Sequence, residues 1–189
     1  MRWRTIDIVV TAAIGVAFGV VFAASNVVWS ILSAPGTIPP LYLMSGIWLM
    51  PAVLAPLIVR LPGAAILAEM MAAAVSAFIG SAWGLDVLLS GFVQGAGAEL
   101  VFALGLYQRW TLPITLLAAT GAAAGEWIHD MTVYYPGVDI GLQLAYGAFM
   151  LIGAVLIAGL GSWYLVRLLR PTGVLAAFPS GRDTPEPAS

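Results

Sequence analysis

Long apolar stretches separated by short polar or proline- and glycine-rich breaks run through the whole chain. They cover about residues 6–31, 41–59, 64–79, 85–106, 112–128 and 140–166. Apolar residues occupy every side of these stretches and not every second position, which indicates helices and argues against the strands of an outer-membrane barrel. About 20 helical residues cross the hydrocarbon core of a bilayer. The pattern therefore predicts an all-α polytopic membrane protein with six transmembrane helices.

Prolines mark one irregular span and the end of the membrane domain. Pro51 and Pro56 interrupt the second stretch, so a kink or an irregular segment is predicted there. After Pro171 the chain is rich in proline, glycine and serine with scattered charges, a composition typical of disorder. We predict one six-helix membrane domain over residues 1–170 and a disordered cytoplasmic tail over 171–189.

The arginines predict how the chain is oriented in the membrane. They lie before the first span, between spans two and three, between spans four and five, and after the sixth span, at Arg2, Arg4, Arg60, Arg109, Arg167 and Arg170. The three loops on the other side contain no lysine or arginine. Because positively charged loops stay in the cytoplasm, both termini are predicted to be cytoplasmic.

Composition agrees with this class and narrows the possible functions. Hydrophobic residues make up 61% of the 189 residues and charged residues 8%, whereas about a quarter of a soluble domain is charged. With no cysteine and one histidine, His129, thiolate and multi-histidine metal sites are excluded, and neither a metal nor another cofactor is expected. The absence of Walker, G-x-S-x-G and H-E-x-x-H motifs argues against an enzyme, and the absence of a basic patch argues against nucleic-acid binding.

Four acids within or at the ends of the predicted spans need an explanation: Glu69, Glu99, Glu126 and Asp130. An ionisable side chain inside a bilayer is costly unless it faces a cavity or a partner, and no basic residue accompanies these acids within the spans. A cationic or amine-bearing ligand fits this set. Two structural alternatives stay open, namely a Glu69–Glu99 pair that shares a proton, and a helix end capped by Asp130 and His129.

Neutral side chains extend the candidate ligand site toward the predicted external half. Trp48 lies about 10 Å below the external boundary, where it either packs between helices or offers a stacking surface. Gln94, Tyr134 and Tyr135 add hydrogen-bonding and stacking groups. The predicted substrate-binding set is therefore Trp48, Glu69, Gln94, Glu99, Glu126, Asp130, Tyr134 and Tyr135.

Small residues recur at intervals of four in the first span, as Ala13-x-x-x-Ala17 and Gly15-x-x-x-Gly19. Small side chains let two helices approach closely. Such a stripe serves either packing inside the bundle or docking of another membrane protein.

Three segments together resemble a known family, the YkoE-type substrate-binding (S) components of energy-coupling factor (ECF) vitamin transporters. The resemblance covers about residues 3 to 170. It is carried by Trp3-Arg4-Thr5-Ile6-Asp7-Ile8-Val9, by Arg60-Leu61-Pro62-Gly63-Ala64-Ala65 followed by Glu69, and by Gly91-Phe92-Val93-Gln94-Gly95-Ala96-Gly97-Ala98-Glu99-Leu100-Val101-Phe102.

This resemblance implies a multi-pass protein of the bacterial cell membrane. Its members capture thiamine or the hydroxymethylpyrimidine precursor from outside and work with a transmembrane coupling (T) component and cytoplasmic ATPase subunits. S components often carry an Ala-x-x-x-Ala stripe on the first helix that contacts the T component, and Ala13 with Ala17 match it. Thiamine pairs a positive thiazolium with an aminopyrimidine, so acids and an aromatic ring are suitable partners for it.

Three functions compete at this point. The leading one is a vitamin-capture subunit without catalysis of its own. The second is an autonomous proton-coupled carrier that uses Glu69 and Glu99 as a relay. The third is a membrane scaffold whose acids are structural.

Overall fold

In the computed structural model, which describes residues 2–34 and 36–182, the described part of the chain folds into helices without any strand. Helices α1 (Thr5–Ser33), α4 (Ala64–Gly80), α5 (Asp86–Leu104) and α6 (Leu112–Val133) are continuous. The second segment consists of a 3-10 turn (Pro39–Met44), α2 (Ser45–Trp48) and α3 (Met50–Val59). The last consists of α7 (Ile140–Gly153), a π-helical stretch (Ala154–Gly161) and α8 (Ser162–Leu169). The prediction of an all-helical bundle of six segments is confirmed.

Four of the segments are long and apolar enough to cross a membrane: Thr5–Ser33, Pro39–Val59, Asp86–Leu104 and Ile140–Thr172. Helix α4 has 17 residues and is about 25 Å long, slightly short of a bilayer core. Helix α6 has 22 residues, but its small and polar side chains lower its hydropathy.

The predicted irregularity in the second segment is present. Leu49 separates α2 from α3, and Pro51 lies in the first turn of α3. The first N–H groups of a helix have no acceptor within that helix, so the N–H of Ala52 needs one from outside. All side chains from residue 51 to 59 are buried, which makes α3 the centre of the bundle.

The two small-residue stripes of α1 lie on different faces of the helix. A Cβ on Gly15 would lie 2.5 Å from the Cβ of Met71 and 2.7 Å from the carbonyl oxygen of Ala68, so this stripe packs tightly on α4. Ala13 and Ala17 lie on the outer face and are exposed.

The arginine-bearing segments meet at one end of the bundle, called here the arginine end. The Trp3 indole donates to the Pro62 carbonyl oxygen at 3.1 Å. The Arg4 guanidinium donates to the carbonyl oxygen of Ala177 at 3.1 Å. The Arg60 guanidinium lies 5.8 Å from the ring centroid of Trp110. The N-terminus, two loops and the C-terminal segment therefore assemble together.

The C-terminal segment differs from the expectation that disorder begins at residue 171. Residues 171–182 fold back against the arginine end, where Leu175 and Phe178 are 2% and 4% exposed. These two buried apolar side chains hold the segment against the bundle. Its high content of proline, glycine and serine had indicated disorder. Residues 183–189 of the predicted tail lie outside the described residues.

Candidate ligand-binding site

A cavity of about 220 Å³ lies at the end of the bundle opposite the arginines. One water needs about 10–15 Å³ by the same kind of measure, so this space suits a small organic molecule. Helices α1, α4, α5 and α6, the second segment and the loop after α6 all contribute to its walls. They do so through Phe22, Asn26, Trp29, Tyr42, Ser45, Trp48, Leu49, Glu69, Ala73, Ser76, Trp83, Asp86, Val87, Ser90, Gly91, Gln94, Glu126, Asp130, Tyr134 and Tyr135.

One wall of the cavity is aromatic. Trp29 contacts Tyr42 edge to face at 5.3 Å between ring centroids and contacts Trp48 in the same way at 5.7 Å. Trp83 extends the row, with its ring 6.4 Å from that of Trp48. Aromatic faces attract cations and stack on planar heterocycles.

Hydrogen bonds hold Trp48 in this wall. Its indole N–H donates to the Asn26 side-chain oxygen at 3.0 Å, and the Asn26 amide in turn donates to the Ser76 hydroxyl at 3.2 Å. Trp48 thus packs between helices and also lines the cavity, so the two sequence-based interpretations of this residue are compatible.

Acids and amides from α4, α5 and α6 form a second wall. The Ser90 hydroxyl oxygen lies 2.9 Å from both carboxylate oxygens of Glu126. The Gln94 side-chain amide donates to the same hydroxyl at 2.7 Å. Glu126 is therefore positioned by a chain of hydrogen bonds that starts on the neighbouring helix.

Glu69 is fully buried and carries one carboxylate oxygen that is satisfied by the backbone. Its Oε2 accepts the N–H of Ala52 at 2.9 Å. This N–H lies in the first turn of α3 and has no acceptor within that helix. The Oε1 atom of Glu69, like Oε1 of Gln94, has no hydrogen-bond partner among the described residues. Buried acceptors without partners are unfavourable. Both side chains line the cavity, so the two atoms suit N–H donors of a ligand.

His129 lies beside the acids and is itself 5% exposed. Its Nε2 is 3.3 Å from the Asp86 carboxylate and its Nδ1 is 3.4 Å from that of Asp130. The Tyr134 hydroxyl also donates to Asp86. Burial, followed by this hydrogen bond, raises the pKa of Tyr134 above its ordinary value, so the hydroxyl remains a donor. The group links α5, α6 and the following loop.

Seven of the eight predicted substrate-binding residues line the cavity: Trp48, Glu69, Gln94, Glu126, Asp130, Tyr134 and Tyr135. The lining residues that the sequence did not predict include Trp29, Tyr42, Ser76, Trp83, Asp86 and Ser90. A signal existed for two of these, because Asp86, Ser90 and Gln94 are spaced by four and thus share one face of a largely apolar helix. Tyr42 and Ser76 carry no such signal.

The prediction for Glu99 is wrong in its location. Its carboxylate accepts the backbone N–H groups of Gly63 at 2.6 Å and Ala65 at 3.0 Å, and the Tyr107 hydroxyl at 2.8 Å. Burial and this last bond raise the pKa of Tyr107 to about 12. The free N–H groups that begin α4 attract a carboxylate, which explains the arrangement. Glu69 and Glu99 bind separate backbone groups, so the proposed proton-sharing pair is also wrong.

Comparisons with known proteins agree with this architecture. The chain is 32% identical over 185 residues, 96% of its length and 92% of the relative's, to YkoE of Bacillus subtilis (strain 168), whose name describes an HMP/thiamine permease protein. Residues 6–125 match the family model of the ABC-type cobalt transport system, permease component. A crystal structure of an S component of an ECF transporter superposes with a TM-score of 0.92 at 31% identity, covering 96% of this chain and 92% of that one. The chain therefore belongs to the YkoE-like family of ECF transporter S components, which are multi-pass membrane proteins.

Proposed function

We propose that this chain captures thiamine or its hydroxymethylpyrimidine precursor from the external side of the bacterial cell membrane. The observation that carries this proposal is the pairing of an aromatic wall with an acidic wall across one small cavity. A flat cationic heterocycle with amino donors satisfies both walls, because aromatic faces and carboxylates each stabilise positive charge.

Each part of the ligand has suitable side chains. Glu126 and Asp130 balance the charge of the thiazolium. Oε1 of Glu69 and of Gln94 accept N–H groups of the aminopyrimidine, and Trp48 stacks on a ring. Tyr134 and Tyr135 line the cavity from the loop after α6, where a ligand arriving from outside would enter.

Partner subunits supply the energy in this proposal. The chain itself is not an enzyme, and ATP hydrolysis belongs to cytoplasmic ATPase subunits that act through a T component. The exposed alanines Ala13 and Ala17 of α1 form the docking stripe for that component. The clustering of arginines at one end supports cytoplasmic termini and an external cavity.

Calorimetric titration of the detergent-purified chain tests the proposed substrate. Saturable 1:1 binding of thiamine or hydroxymethylpyrimidine is expected, with quenching of tryptophan fluorescence because Trp29, Trp48 and Trp83 line the cavity. A chain that binds neither compound under conditions where it stays folded contradicts the proposal.

A divalent cation is a second candidate substrate, because Glu126, His129 and Asp130 place three ligand atoms within 4.8 Å of one another. The match to a cobalt-permease family model points the same way. Titration with Co²⁺ in the presence and absence of thiamine separates the candidates. Tight Co²⁺ binding without thiamine binding favours the cation as cargo, whereas thiamine binding that is unaffected by Co²⁺ favours the vitamin.

The autonomous carrier has less geometric support than the subunit. A relay through Glu69 and Glu99 requires that protons pass between them, yet their carboxylates bind separate backbone groups and Glu99 does not line the cavity. We expect vesicles that contain this chain alone to show no uptake under a pH gradient.

A further inference from the structure

Acidic side chains line the ligand cavity from its buried end to its open end. At the buried end, Glu69 and Gln94 are 0% and 4% exposed, and each has an Oε1 atom without a hydrogen-bond partner among the described residues. At the open end, the side chains of Asp130 and Asp86 are 14% and 29% exposed. Gln94 follows Asp86 by eight residues on α5, so about 12 Å separate the two levels. The contacts proposed for the vitamin leave Asp86 without a role.

The walls of the cavity carry acids without matching cations. Four of the described residues that line it are acids and none is a lysine or arginine; the acids are Glu69, Asp86, Glu126 and Asp130. His129 contacts this group, with its ring nitrogens 3.3 Å from Asp86 and 3.4 Å from Asp130. A protonated His129 offsets only one of the two aspartates that it contacts. The open end of the cavity therefore keeps an excess of negative charge.

Asp86 is held at the first residue of α5. The Tyr134 hydroxyl donates to its carboxylate from the end of α6, and His129 lies beside it. The free N–H groups and the dipole at the start of a helix attract phosphate. An aspartate at this position supplies the negative charge itself. The start of α5 is therefore unfavourable for a second anion.

We propose that Asp86 makes the cavity selective for the unphosphorylated vitamin and rejects phosphate esters of it. This inference rests on the proposed function, in which Glu69 and Gln94 bind the aminopyrimidine at the buried end. The hydroxyethyl group of the thiazolium, which carries the phosphate in thiamine monophosphate, then points toward Asp86. A phosphate at that level faces carboxylates, and like charges repel each other.

Rejection of phosphate esters also gives the chain a place in a reaction sequence. A phosphorylated vitamin outside the cell must first be hydrolysed. Water attacks the phosphorus atom, the ester P–O bond breaks, inorganic phosphate is released, and the vitamin is left with a free hydroxyl group. A phosphomonoester hydrolase that acts outside the membrane must therefore supply the ligand whenever its source is phosphorylated.

Calorimetric titration of the detergent-purified chain with thiamine and thiamine monophosphate tests this inference. One opposed pair of like charges at a partly exposed site changes affinity about tenfold, so two aspartates should favour thiamine about 100-fold. Asp86→Asn keeps an oxygen that can accept from Tyr134 but removes the charge, and this preference should fall about tenfold. Asp139→Asn is the control, because Asp139 is exposed before α7 and does not line the cavity. It should keep the parental preference.

The O-acetyl ester of thiamine separates charge from size, because it extends the same hydroxyl without adding an anion. We expect the parent chain to bind this ester more tightly than the monophosphate. Equal rejection of the two esters would overturn the assignment, since it indicates exclusion by size. This comparison uses the parent chain and does not depend on the folding of a variant.

Two further outcomes would also overturn the role of Asp86. The first is parental binding of thiamine and its monophosphate with equal affinity, which leaves the proposed function intact. The second is an equal loss of both affinities in Asp86→Asn, which indicates a structural role. If the chain binds hydroxymethylpyrimidine and not thiamine, that compound and its phosphate ester replace the pair in the same comparison. A folded chain that binds none of these compounds contradicts the proposed function itself, and this inference with it.

Discussion

The acids of the spans occupy two different environments, and this difference determines what each one does. Glu69 and Glu126 face the ligand cavity, where one carboxylate oxygen of Glu69 lacks a partner among the described residues. The Glu99 carboxylate accepts hydrogen bonds from two backbone N–H groups and a tyrosine hydroxyl. These glutamates all interrupt apolar stretches, yet their substitution should have different effects. Substitution at the cavity should change ligand binding, whereas substitution of Glu99 should change stability.

Removing the carboxylate charge at the cavity should distinguish between the two vitamins. Glu126→Gln is expected to weaken thiamine binding by roughly 1.5 to 3 kcal/mol, because a charge-assisted contact is lost. Binding of the uncharged pyrimidine should change less. Calorimetry with both compounds measures the difference, and an equal loss for both would show that Glu126 does not neutralise the thiazolium.

Glu99→Gln is the matched control for that experiment. It makes the same chemical change on a neighbouring helix but outside the cavity, so affinity for thiamine should stay at the parental value. The melting temperature should fall, because a charged acceptor of three hydrogen bonds is replaced by a neutral amide. Loss of thiamine binding with unchanged stability would contradict this placement.

Trp48 is expected to contribute directly to binding through its ring. Trp48→Ala should weaken thiamine binding by about 1 to 2 kcal/mol, and Trp48→Phe should weaken it less, because a smaller aromatic face remains. Trp163→Ala, at a tryptophan that does not line the cavity, is the control. If Trp48→Ala binds thiamine with parental affinity but has a lower melting temperature, then this side chain contributes to packing and not to binding.

At the scale of elements, α1 presents two different faces. Its glycine stripe packs against α4, and its alanine stripe is exposed beside Val9, Val16 and Val20. An apolar face of small residues on a membrane helix suits another helix as well as it suits lipid. The face also lies partly toward the arginine end, from which ATPase-driven motion would arrive.

We expect Ala13→Trp and Ala17→Trp to abolish co-purification with the T component and ATP-driven uptake. A bulky side chain there separates the two helices, while vitamin binding by the isolated subunit should be unchanged. Ala24→Trp serves as the control, since Ala24 is exposed on the same face of α1 nearer the cavity end. Normal assembly of the first two variants would place the docking surface elsewhere, and loss of vitamin binding would place the stripe inside the bundle.

At the scale of the whole molecule, the two ends of the bundle differ in chemistry. The cavity and its acids occupy one end, and the arginines with the packed C-terminal segment occupy the other. This polarity predicts one orientation in the membrane, with the arginine end in the cytoplasm.

The absence of native cysteine makes that orientation directly measurable. Ala82→Cys lies in the loop before α5, and Gln108→Cys lies in the loop before α6; both positions are exposed. A membrane-impermeant maleimide should label the first in intact cells and the second after permeabilisation. The reverse pattern would invert the orientation and move the cavity to the cytoplasmic side.

Much of the fold and of the candidate site could be predicted from local chemistry. The spans follow from apolar runs, and Glu69 and Glu126 stand out because a carboxylate inside such a run has a high energetic cost wherever the helices pack. The irregular second span follows from Pro51 in the same way. Ser76 could not be predicted as a cavity residue, because a single serine in a membrane helix has little energetic cost and therefore does not indicate a function.

The sequence by itself determined the class of protein, the number of helical segments and three of the four acids around the cavity, because each depends on composition within a few turns. Only the tertiary structure decided which helices meet and how each is rotated. In helix α1 the glycine stripe and the alanine stripe are both suited to close helix packing, so composition alone could not show that Gly15 faces inward and Ala13 outward. Glu99 was predicted to contact the ligand, but its carboxylate accepts the N–H groups of Gly63 and Ala65 at the start of α4. The sequence could not show this, because these residues are distant from Glu99 in the chain and adjacent to it only in the folded bundle.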